Sequence, residues 1–476
     1  MKDDSINIHD NYQFDIQLDY ELSLDSKETL SEIEAFLFLP NSLGLNRHTY
    51  RKEDFYEDIH SFVKLNLKPV ELSQIVTGEQ SPFIKLKKSI DSLNTTSIST
   101  SKFQFEYQIK LFCCLFKESL QTAATNFNDP KDINLSHLNE IKKILIKYRG
   151  LFSAKKTTII DQKLLNMYQL GDEFLSLTTE NHSCKLMELT KGLNCTTLKD
   201  EILNIIRKEH EYRFNKAYKS IPDADSDNEE FIFRKNALDN FINSIIFLDA
   251  RVRPEGNYLK QVVFAIGAAI AMIFSTGVAF FAAIKYAAIS IEIFIVLIIS
   301  YMFKDRIKEL IRDFMWGKIK HHLFDHKIKI SYDQHNLGWS RESVTFLAED
   351  RVPADIMNNR NRDHLTELDS NRIGEQVILY KKQIQLFHKG LDQLHIDYQI
   401  DNVHDVIRFN IYKFLTRMSD SKKMVYVLQP DQVSMTEGKK VYYIDLALKH
   451  RVGNDVQIHV FRITLNRYGI KRIEKV

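Results

Sequence analysis

Proline and glycine are scarce in this sequence, with 8 and 15 occurrences in 476 residues. Both residues interrupt regular backbone structure, so their scarcity favours a chain rich in helices and strands. An excess of charge of either sign is also missing, since 65 Lys and Arg stand against 63 Asp and Glu. Because nucleic-acid-binding proteins usually carry a basic footprint, we expect no nucleic-acid partner. The length allows two or three domains.

Recognisable catalytic motifs are missing as well. The chain contains no GxGxxG, no GxxxxGKS/T, no GxSxG and no HExxH motif. The sequence therefore predicts no cofactor and no catalytic residues, and it favours a non-enzymatic protein. A membrane-tethered enzyme with an unrecognised site is the alternative that this absence leaves open.

Cysteine is rare, and the four cysteines are consistent with a reducing compartment. Cys113 and Cys114 are adjacent within an apolar run and are predicted to be buried thiols. No metal site is predicted. Two histidine-containing groups are interpreted as ordinary side chains, namely Cys184 and Cys195 with His182, and His321, His322 and His326 with Asp325.

The strongest positive signal is an apolar block from Gln261 to Phe303, which only Lys285 and Glu292 interrupt. A membrane-spanning helix needs roughly 20 apolar residues. The block is about twice that length, which tilt of a single helix cannot accommodate. We therefore predict a transmembrane hairpin at 256–303, with helices at about 262–283 and 287–303.

The charges around this block predict its orientation. The N-terminal residues contain no apolar run of the kind found in a signal peptide, so the hairpin is expected to insert by its own hydrophobicity. Basic residues flank both of its ends, whereas Lys285 alone lies between the helices. The positive-inside rule then places both termini in the cytoplasm, in a multi-pass arrangement. The flanking residues are Arg251, Arg253, Lys260, Lys304, Arg306, Lys308 and Arg312.

Small residues recur at every fourth position of the first predicted membrane helix. Such a row lets two helix backbones approach closely, either within one hairpin or between subunits of a homo-oligomer. Its members are Gly267, Ala271, Ser275, Ala279 and Ala283. Lys285 and Glu292 are the ionisable residues of the block, and ionisable groups in membranes are functional candidates. The alternative is a structural pair near the outer interface.

The soluble parts are predicted to make this an α+β membrane protein. Alternating apolar residues indicate strands at Tyr12–Leu24 and Ser31–Leu39, which we interpret as a β-hairpin. The pattern from about Tyr50 to Asp249 is helical, typical of an antiparallel bundle. The predicted order is a cytosolic β-hairpin and helical domain (1–255), the membrane hairpin, a basic juxtamembrane helix (304–325) and a cytosolic α+β domain (326–476).

Within the last domain, strands are predicted at Lys327–Tyr332, Glu342–Ala348, Met424–Leu428, Val441–Lys449, Val456–Leu465 and Ile470–Glu474. Helices are predicted at Asn371–Leu394 and Val403–Leu415. An alternation slip between Val460 and Phe461 suggests a bulge. Because an isolated hairpin is marginally stable, we expect the N-terminal hairpin to complete the C-terminal sheet. The basic helix after the membrane block either lies at the headgroups or simply extends the second membrane helix.

Three segments carry a family resemblance: FLFLPNSLGLN (Phe36–Asn46), ISYMFKDRIKELI (Ile299–Ile311) and LNRYGIKRIE (Leu465–Glu474). They resemble uncharacterised bacterial inner-membrane proteins with a central two-helix hairpin. The resemblance implies a bacterial cell inner membrane location and no site residues. The expected function is that of a non-enzymatic membrane protein whose cytosolic domains sense or bind a protein partner. The main alternative is a membrane-perturbing effector of a toxin or phage-defence type.

Overall fold

The computed structural model describes residues 6–21, 27–93, 98–125, 135–153, 162–191, 196–285, 291–319, 323–332, 335–360, 375–392, 394, 399–419, 422–430, 432–453 and 455–476. The chain is a mixed α+β protein that divides into two compact units. Unit 1 contains Met1–Val63, Leu248–His395 and Val403–Val476, and unit 2 contains Lys64–Phe247 and Ile396–Asn402. The division nearest to the predicted boundary at 255 falls between Phe247 and Leu248.

The strands, in chain order, are β1 (Ile6–Ile8), β2 (Gln13–Glu21), β3 (Glu28–Leu39), β4 (Ile59–Leu67), β5 (Asp249–Pro254), β6 (His326–Tyr332), β7 (His335–Ala348), β8 (Gln376–Phe387), β9 (Ile400–Asn410), β10 (Lys422–Gln429), β11 (Gln432–Lys439), β12 (Tyr442–Val452), β13 (Asp455–Asn466) and β14 (Gly469–Lys475). The helices of unit 1 are α1 (Lys52–Asp58), α9 (Asn257–Lys285), α10 (Ile291–Ile319), α11 (Ala354–Asn359), α12 (His388–Asp392) and α13 (Tyr412–Leu415). Those of unit 2 are α2 (Leu72–Val76), α3 (Pro82–Ser92), α4 (Ile98–Thr125), α5 (Leu135–Ser153), α6 (Gln162–Leu189), α7 (Thr196–Asn215) and α8 (Glu229–Asn243).

An eight-stranded antiparallel sheet dominates unit 1, in the order β14–β13–β12–β3–β8–β7–β6–β5. Strand β3 lies inside this sheet. Its Phe36 is opposite Ala447 of β12 on one side and Leu379 of β8 on the other. The expectation that an N-terminal strand completes the C-terminal sheet is thus confirmed for β3. This pairing also explains why residues 1–63 belong to unit 1.

Both faces of this sheet are covered at its centre. On one face, Phe36 and Phe38 pack in a buried cluster with Ile356 of α11. On the other face lies a second sheet in the order β1–β2–β9–β4, and the ring of its Tyr20 is 6.4 Å from the ring of His450 on β12. Because successive side chains of a strand point to opposite faces, β3 contributes apolar residues to both layers.

The two N-terminal strands do not form the predicted hairpin. Strand β2 pairs with β1 and adjoins β9 in the second sheet, whereas β3 pairs with β12 and β8. Each strand buries its own apolar face, but against a different layer. The hairpin was predicted because β2 and β3 are adjacent in sequence. In the structure, β3 pairs instead with the distant strands β12 and β8.

Two further predictions about the C-terminal part are wrong. The predicted helices at Asn371–Leu394 and Val403–Leu415 overlap the strands β8 and β9, and among the described residues the short α12 and α13 follow these strands. The predicted bulge at Val460 is absent from the described pairing with β12, which is continuous there. A register shift occurs instead between Thr464 and Leu465, against β14. The six strands predicted in this part are confirmed as β6, β7, β10, β12, β13 and β14.

Unit 2 is built mainly from helices, as predicted. Strand β4, whose residues are divided between the two units after Val63, was not predicted. Its apolar interior includes Leu138 of α5, Leu186 of α6 and Ile202 of α7. Cys113 and Cys114 of α4 are buried free thiols, and burial raises the pKa of Cys114 to about 12. The interpretation of both cysteines as structural side chains is therefore supported.

Helices α9 and α10 pack against each other in antiparallel orientation. Ser300 Oγ is 3.2 Å from Ser275 Oγ, and Gly267 faces the backbone of Lys308 and Arg312. Helix α10 runs without a break to Ile319. The basic segment after Phe303 is therefore an extension of this helix, which was one of the two alternatives, and it is not a separate juxtamembrane element.

Candidate functional site

The base of the α9–α10 hairpin is joined to the edge of the large sheet. Strand β5 leads into α9, strand β6 follows α10, and the two strands pair with Asp249 opposite Ser331 and Pro254 opposite His326. The Glu255 backbone N–H donates to the Asp325 carbonyl at 3.0 Å, which continues this pairing towards the helices. Both helices therefore leave the sheet from adjacent, hydrogen-bonded strands.

Small residues line the contact between the two helices over most of the predicted row. Gly267 and Ala271 are buried, Ser275 is half-buried, and the Ser300 hydroxyl donates to the Ser275 carbonyl at 3.3 Å. Ala279 is half-buried, but Ala283 is exposed. Ala282 is buried in its place, because a straight helix of 3.6 residues per turn drifts away from a strict four-residue repeat. The row therefore serves contact within this hairpin.

The outer surface of the hairpin is apolar and exposed. Ile273 is 72% exposed and Phe281 is 70% exposed. Among the described residues, α9 is the one helix long and apolar enough to cross a membrane, and 17% of its apolar window is buried. The described part of α10 begins at Ile291, contains Glu292 near its start and carries further charges from Lys304 onward. The described helices thus support one candidate span and not the two that were predicted.

Lys285 ends α9 and is exposed. Glu292 lies near the start of α10, but its side chain falls outside the described residues, as do 286–290 between the helices. The predicted pairing of these two ionisable residues is therefore untested. His321, His322 and Cys195 also lie outside the described part. Within that part, no group of His, Cys, Asp and Glu residues is suited to hold a metal ion.

Asp325 forms a polar junction at the exit of α10. Its carboxylate accepts hydrogen bonds from Lys52 Nζ, from the Tyr56 hydroxyl at 2.8 Å and from the Val344 backbone N–H at 2.9 Å. The Tyr56 ring also contacts the His326 ring at 4.3 Å. Burial, and then the nearby Asp325 carboxylate, raises the pKa of Tyr56 well above its ordinary value. Helix α1 and strand β7 are thereby tied to the segment that connects the hairpin to β6.

Next to this junction lies a buried charge cluster, which we define as Lys382, Asp405, Glu342 and Tyr20. Lys382 Nζ is 2.7 Å from Asp405 Oδ2 and 3.6 Å from Glu342 Oε1. The Tyr20 hydroxyl donates to Asp405 Oδ2 at 3.0 Å, and Lys382 also donates to the Ser61 hydroxyl. Lys382 and Glu342 belong to the large sheet, whereas Asp405 and Tyr20 belong to the second sheet.

The burial of this cluster limits its chemistry. The side chains of Lys382 and Asp405 are 1% and 0% exposed. Burial raises the pKa of Tyr20, and the Asp405 carboxylate raises it further, so that its hydroxyl remains a hydrogen-bond donor. Charges this far from water persist only when they are paired. The cluster therefore joins the two sheets of unit 1 and does not offer an open surface to a substrate.

The cluster is also close in structure to the base of the hairpin. Asp325 donates its backbone N–H to the carbonyl of Glu342 at 2.8 Å, and Glu342 is opposite Lys382 across β7 and β8. The path Asp325–Glu342–Lys382–Asp405, made of hydrogen bonds and ion pairs, thus links the end of α10 to the second sheet. No residue of the cluster was predicted from the sequence. A lone Lys or Asp inside an alternating apolar strand is the signal that could have identified it.

A second buried polar network stabilises unit 2. Arg149 donates to Asp172 at 3.1 Å and to both oxygens of Glu209, at 3.1 and 2.6 Å. The fully buried Arg213 pairs with Glu180 and donates to the Ser176 hydroxyl at 3.1 Å. Bidentate Arg–carboxylate pairs are strong and geometrically specific. This network joins α5, α6 and α7 and is interpreted as structural.

Comparisons of the chain with protein-family models, curated proteins and solved structures found no match. The resemblance to bacterial inner-membrane proteins therefore stays a prediction, carried by the three segments quoted above.

Proposed function

We propose that this chain is a bacterial inner-membrane protein without enzymatic activity, whose hairpin α9–α10 anchors soluble domains that sense or bind a protein partner. In this proposal the hairpin crosses the membrane twice, and both termini lie in the cytoplasm. A membrane-perturbing effector is the competing function, and the experiments below are chosen to separate the two.

The observation that carries the proposal is the exposed apolar surface of the hairpin. The core helix of a soluble protein is mostly buried, whereas 17% of the apolar window of α9 is buried here. Exposed apolar patches of this extent mark membrane or protein interaction sites. Since the inner seam is already filled by small residues of the same hairpin, the outward side chains are free to meet lipid.

The lengths of the two segments suit a bilayer. The first segment supplies a described helix of 29 residues. The second supplies apolar residues from 287 to 303 in the sequence, which as a helix would extend about 26 Å at a rise of ~1.5 Å per residue. A hydrocarbon core of about 30 Å accommodates such a helix with local adjustment.

Basic residues support the orientation. Lys260 Nζ lies 5.6 Å from the centre of the Phe264 ring, Lys304 Nζ lies 5.0 Å from that of Tyr301, and the Arg312 guanidinium lies 5.4 Å from that of Phe264. Lys260 and Arg312 lie towards the end of the hairpin that connects to the sheet, whereas Lys304 lies near the middle of α10. Cations and aromatic rings are enriched together at membrane interfaces, and an excess of Lys and Arg marks the cytoplasmic side.

The sensing part of the proposal rests on the connection between sheet and hairpin. Strands β5 and β6 hold the two helices at one edge of the sheet, and Asp325 ties α1 and β7 to the same point. A partner that shifts this edge would therefore alter how the helices leave it. Coupling between a partner-binding surface and the membrane helices requires a structural element that contacts both. In this proposal the β5–β6 pair is that element.

Membrane fractionation and topology reporters test the anchor. The full chain should resist carbonate extraction, and reporter fusions after Met1 and Val476 should give a cytoplasmic readout, with a periplasmic readout at Lys285. Extraction by carbonate, or a periplasmic readout at either terminus, would contradict the proposal.

Induced expression distinguishes an anchored sensor from a membrane-perturbing effector. For the sensor, the membrane potential of the expressing cells should match that of cells expressing a variant in which Ile273 is replaced by Asp, a change that opposes insertion. A rapid loss of membrane potential, seen with the wild-type chain and not with that variant, would favour the effector.

A further inference from the structure

The two-stranded ribbon β10–β11 differs from every other described strand pair, because its strands pair only with each other. The residues of β10 are exposed along their whole length, and those of β11 nearly so. An isolated two-stranded ribbon is marginally stable in water. We therefore expect the surface of the ribbon to be covered by another molecule or by a membrane.

The register separates the ribbon into two unlike faces. Directly opposed residues share a face, and the pairs Tyr426–Met435 and Leu428–Val433 place four apolar side chains together, with Met424 beside them. Tyr426 is 76% exposed and Leu428 is 83% exposed. The other face carries Gln429, Gln432, Ser434 and Thr436, together with Val425 and Val427.

The charges of the apolar face are gathered at one end. Lys422 lies directly opposite Lys439, and like charges in that position destabilise a strand pair. Glu437 forms an ion pair with Lys422 at 2.9 Å, so one positive charge of the pair remains uncompensated. Lys423, on the opposite face, and Lys440, just past β11, add two further cations at the same end of the ribbon. This end therefore suits anionic groups, and the rest of the face suits an apolar medium.

We propose that the β10–β11 ribbon lies flat in the interface of an anionic bilayer. Its apolar face is then directed towards the acyl chains, and the lysines at the Lys422–Lys439 end contact lipid phosphates. Lysine stems cover apolar surface while their ammonium groups reach the headgroups. The opposite face, with its amide and hydroxyl groups, stays in water. A protein partner or a second copy would satisfy the apolar side chains, but it would not require cations confined to one end.

The inference concerns a different surface from the α9–α10 hairpin and can fail independently of the proposed function. The full chain, with Cys184 and Cys195 replaced by Ser, is reconstituted at one copy per nanodisc. An environment-sensitive fluorophore is attached at Leu428→Cys, at Ser434→Cys on the polar face as matched control, or at Phe281→Cys in α9.

In nanodiscs containing phosphatidylglycerol, the label at position 428 should show blue-shifted emission and severalfold weaker quenching by iodide than the label at 434. In phosphatidylcholine nanodiscs the difference should largely disappear. The double variant Lys422→Gln/Lys439→Gln should reduce protection at 428 in phosphatidylglycerol without changing the label at 281.

Equal quenching at 428 and 434 in both lipids would overturn the inference. So would protection at 428 that appears only at two copies per disc, because that result assigns the apolar face to a second chain. Strong iodide quenching of the label at 281 would instead contradict the membrane hairpin. The label at 428 would still decide whether the ribbon contacts lipid.

Discussion

Lys382 depends on a partner that its own sequence neighbourhood does not contain. It is buried between two sheets and pairs with Asp405 and Glu342. Replacing Lys382 with Met would leave two carboxylates buried without their cation. We expect unit 1 to lose about 3–5 kcal/mol of unfolding free energy, as other broken buried ion pairs do. Urea unfolding followed by tryptophan fluorescence measures this, since both tryptophans, Trp316 and Trp339, belong to unit 1.

The adjacent Lys381 provides a matched control. It has the same side chain on the same strand, pairs with Glu34 and is 37% exposed. Because ion pairs exposed to solvent contribute about 0–1 kcal/mol, Lys381→Met should have a small effect. Equal destabilisation by the two substitutions would show that the buried cluster has no special role in joining the sheets.

His182 predicts a pH dependence of unit 2. Its Nε2 is 3.0 Å from that of His137, and burial, followed by the positive charges of His137 and Lys185, lowers the pKa of His182 from 6.5 to about 3. Between these pH values the unfolded chain binds a proton that the folded chain does not. Stability is therefore lost as the pH falls from about 6.5 towards 3, by up to about 1.4 kcal/mol per pH unit for one proton.

Urea titrations at pH 7 and pH 5 test this dependence. Unfolding of unit 2 is followed by pulse labelling of Cys113 and Cys114, which are buried in the fold. The decrease in stability between the two pH values should be smaller in His182→Asn than in the wild-type chain. The half-buried His210 supplies the comparison, and His210→Asn should retain the wild-type dependence. If the pH dependence of stability in His182→Asn equalled that of the wild-type chain, the dependence would arise from other titratable groups.

At the scale of elements, the α9–α10 seam depends on small side chains. Ala271 is fully buried in it. We expect Ala271→Leu to force the helices apart, at about 1–3 kcal/mol for an overpacked contact. Disulfide formation between Ser275→Cys and Ser300→Cys, whose hydroxyls lie 3.2 Å apart, measures the separation. The yield should fall in Ala271→Leu and stay unchanged in Ala269→Leu, because Ala269 is exposed. Equal yields would contradict close packing at this seam.

The strands β8 and β9 show why element type was partly unpredictable. In β8, Val377, Tyr380 and Ile384 also fit helical spacing, and coverage of both faces of the sheet removes strict alternation. In β9, Asp405 interrupts an apolar face made by Val403, Ile407 and Phe409. The carboxylate is tolerated because Lys382 lies opposite it, on a strand that local pattern cannot identify.

At the scale of the whole molecule, β3 holds together parts of the chain that are far apart in sequence. It lies between β12 and β8, so its removal would expose two internal edges. We expect deletion of residues 1–40 to make the C-terminal strands protease-sensitive under conditions in which the full chain resists. Limited proteolysis with identification of the cleavage sites measures this.

Deletion of the β10–β11 ribbon is the contrasting case. The ribbon pairs only with itself, and Lys440 Nζ donates to the Ser419 hydroxyl at 2.7 Å, so its two ends are close together. Replacing residues 422–439 with a short glycine linker should leave the sheet resistant to protease. If the ribbon deletion were as damaging as removal of β3, the ribbon would be part of the folded core.

The sequence by itself determined the features that depend on local pattern. A long apolar block predicted the helices α9 and α10, alternation predicted β3 and the strands β12 to β14, and small residues at every fourth position predicted the seam from Gly267 to Ser275. Each of these signals is contained in one segment, because burial of one face imposes a period on that segment alone.

Only the tertiary structure decided which segments meet. It separated β2 from β3, placed β3 between β8 and β12, made β9 a strand despite Asp405, and brought Lys382 to that carboxylate. These outcomes depend on pairing between separate segments, from 23 positions apart for Lys382 and Asp405 to 419 for Ser31 and His450. Such pairing leaves no period in either segment. The buried charge cluster and the pairing that holds the base of the hairpin therefore belong to the fold, not to any stretch of sequence.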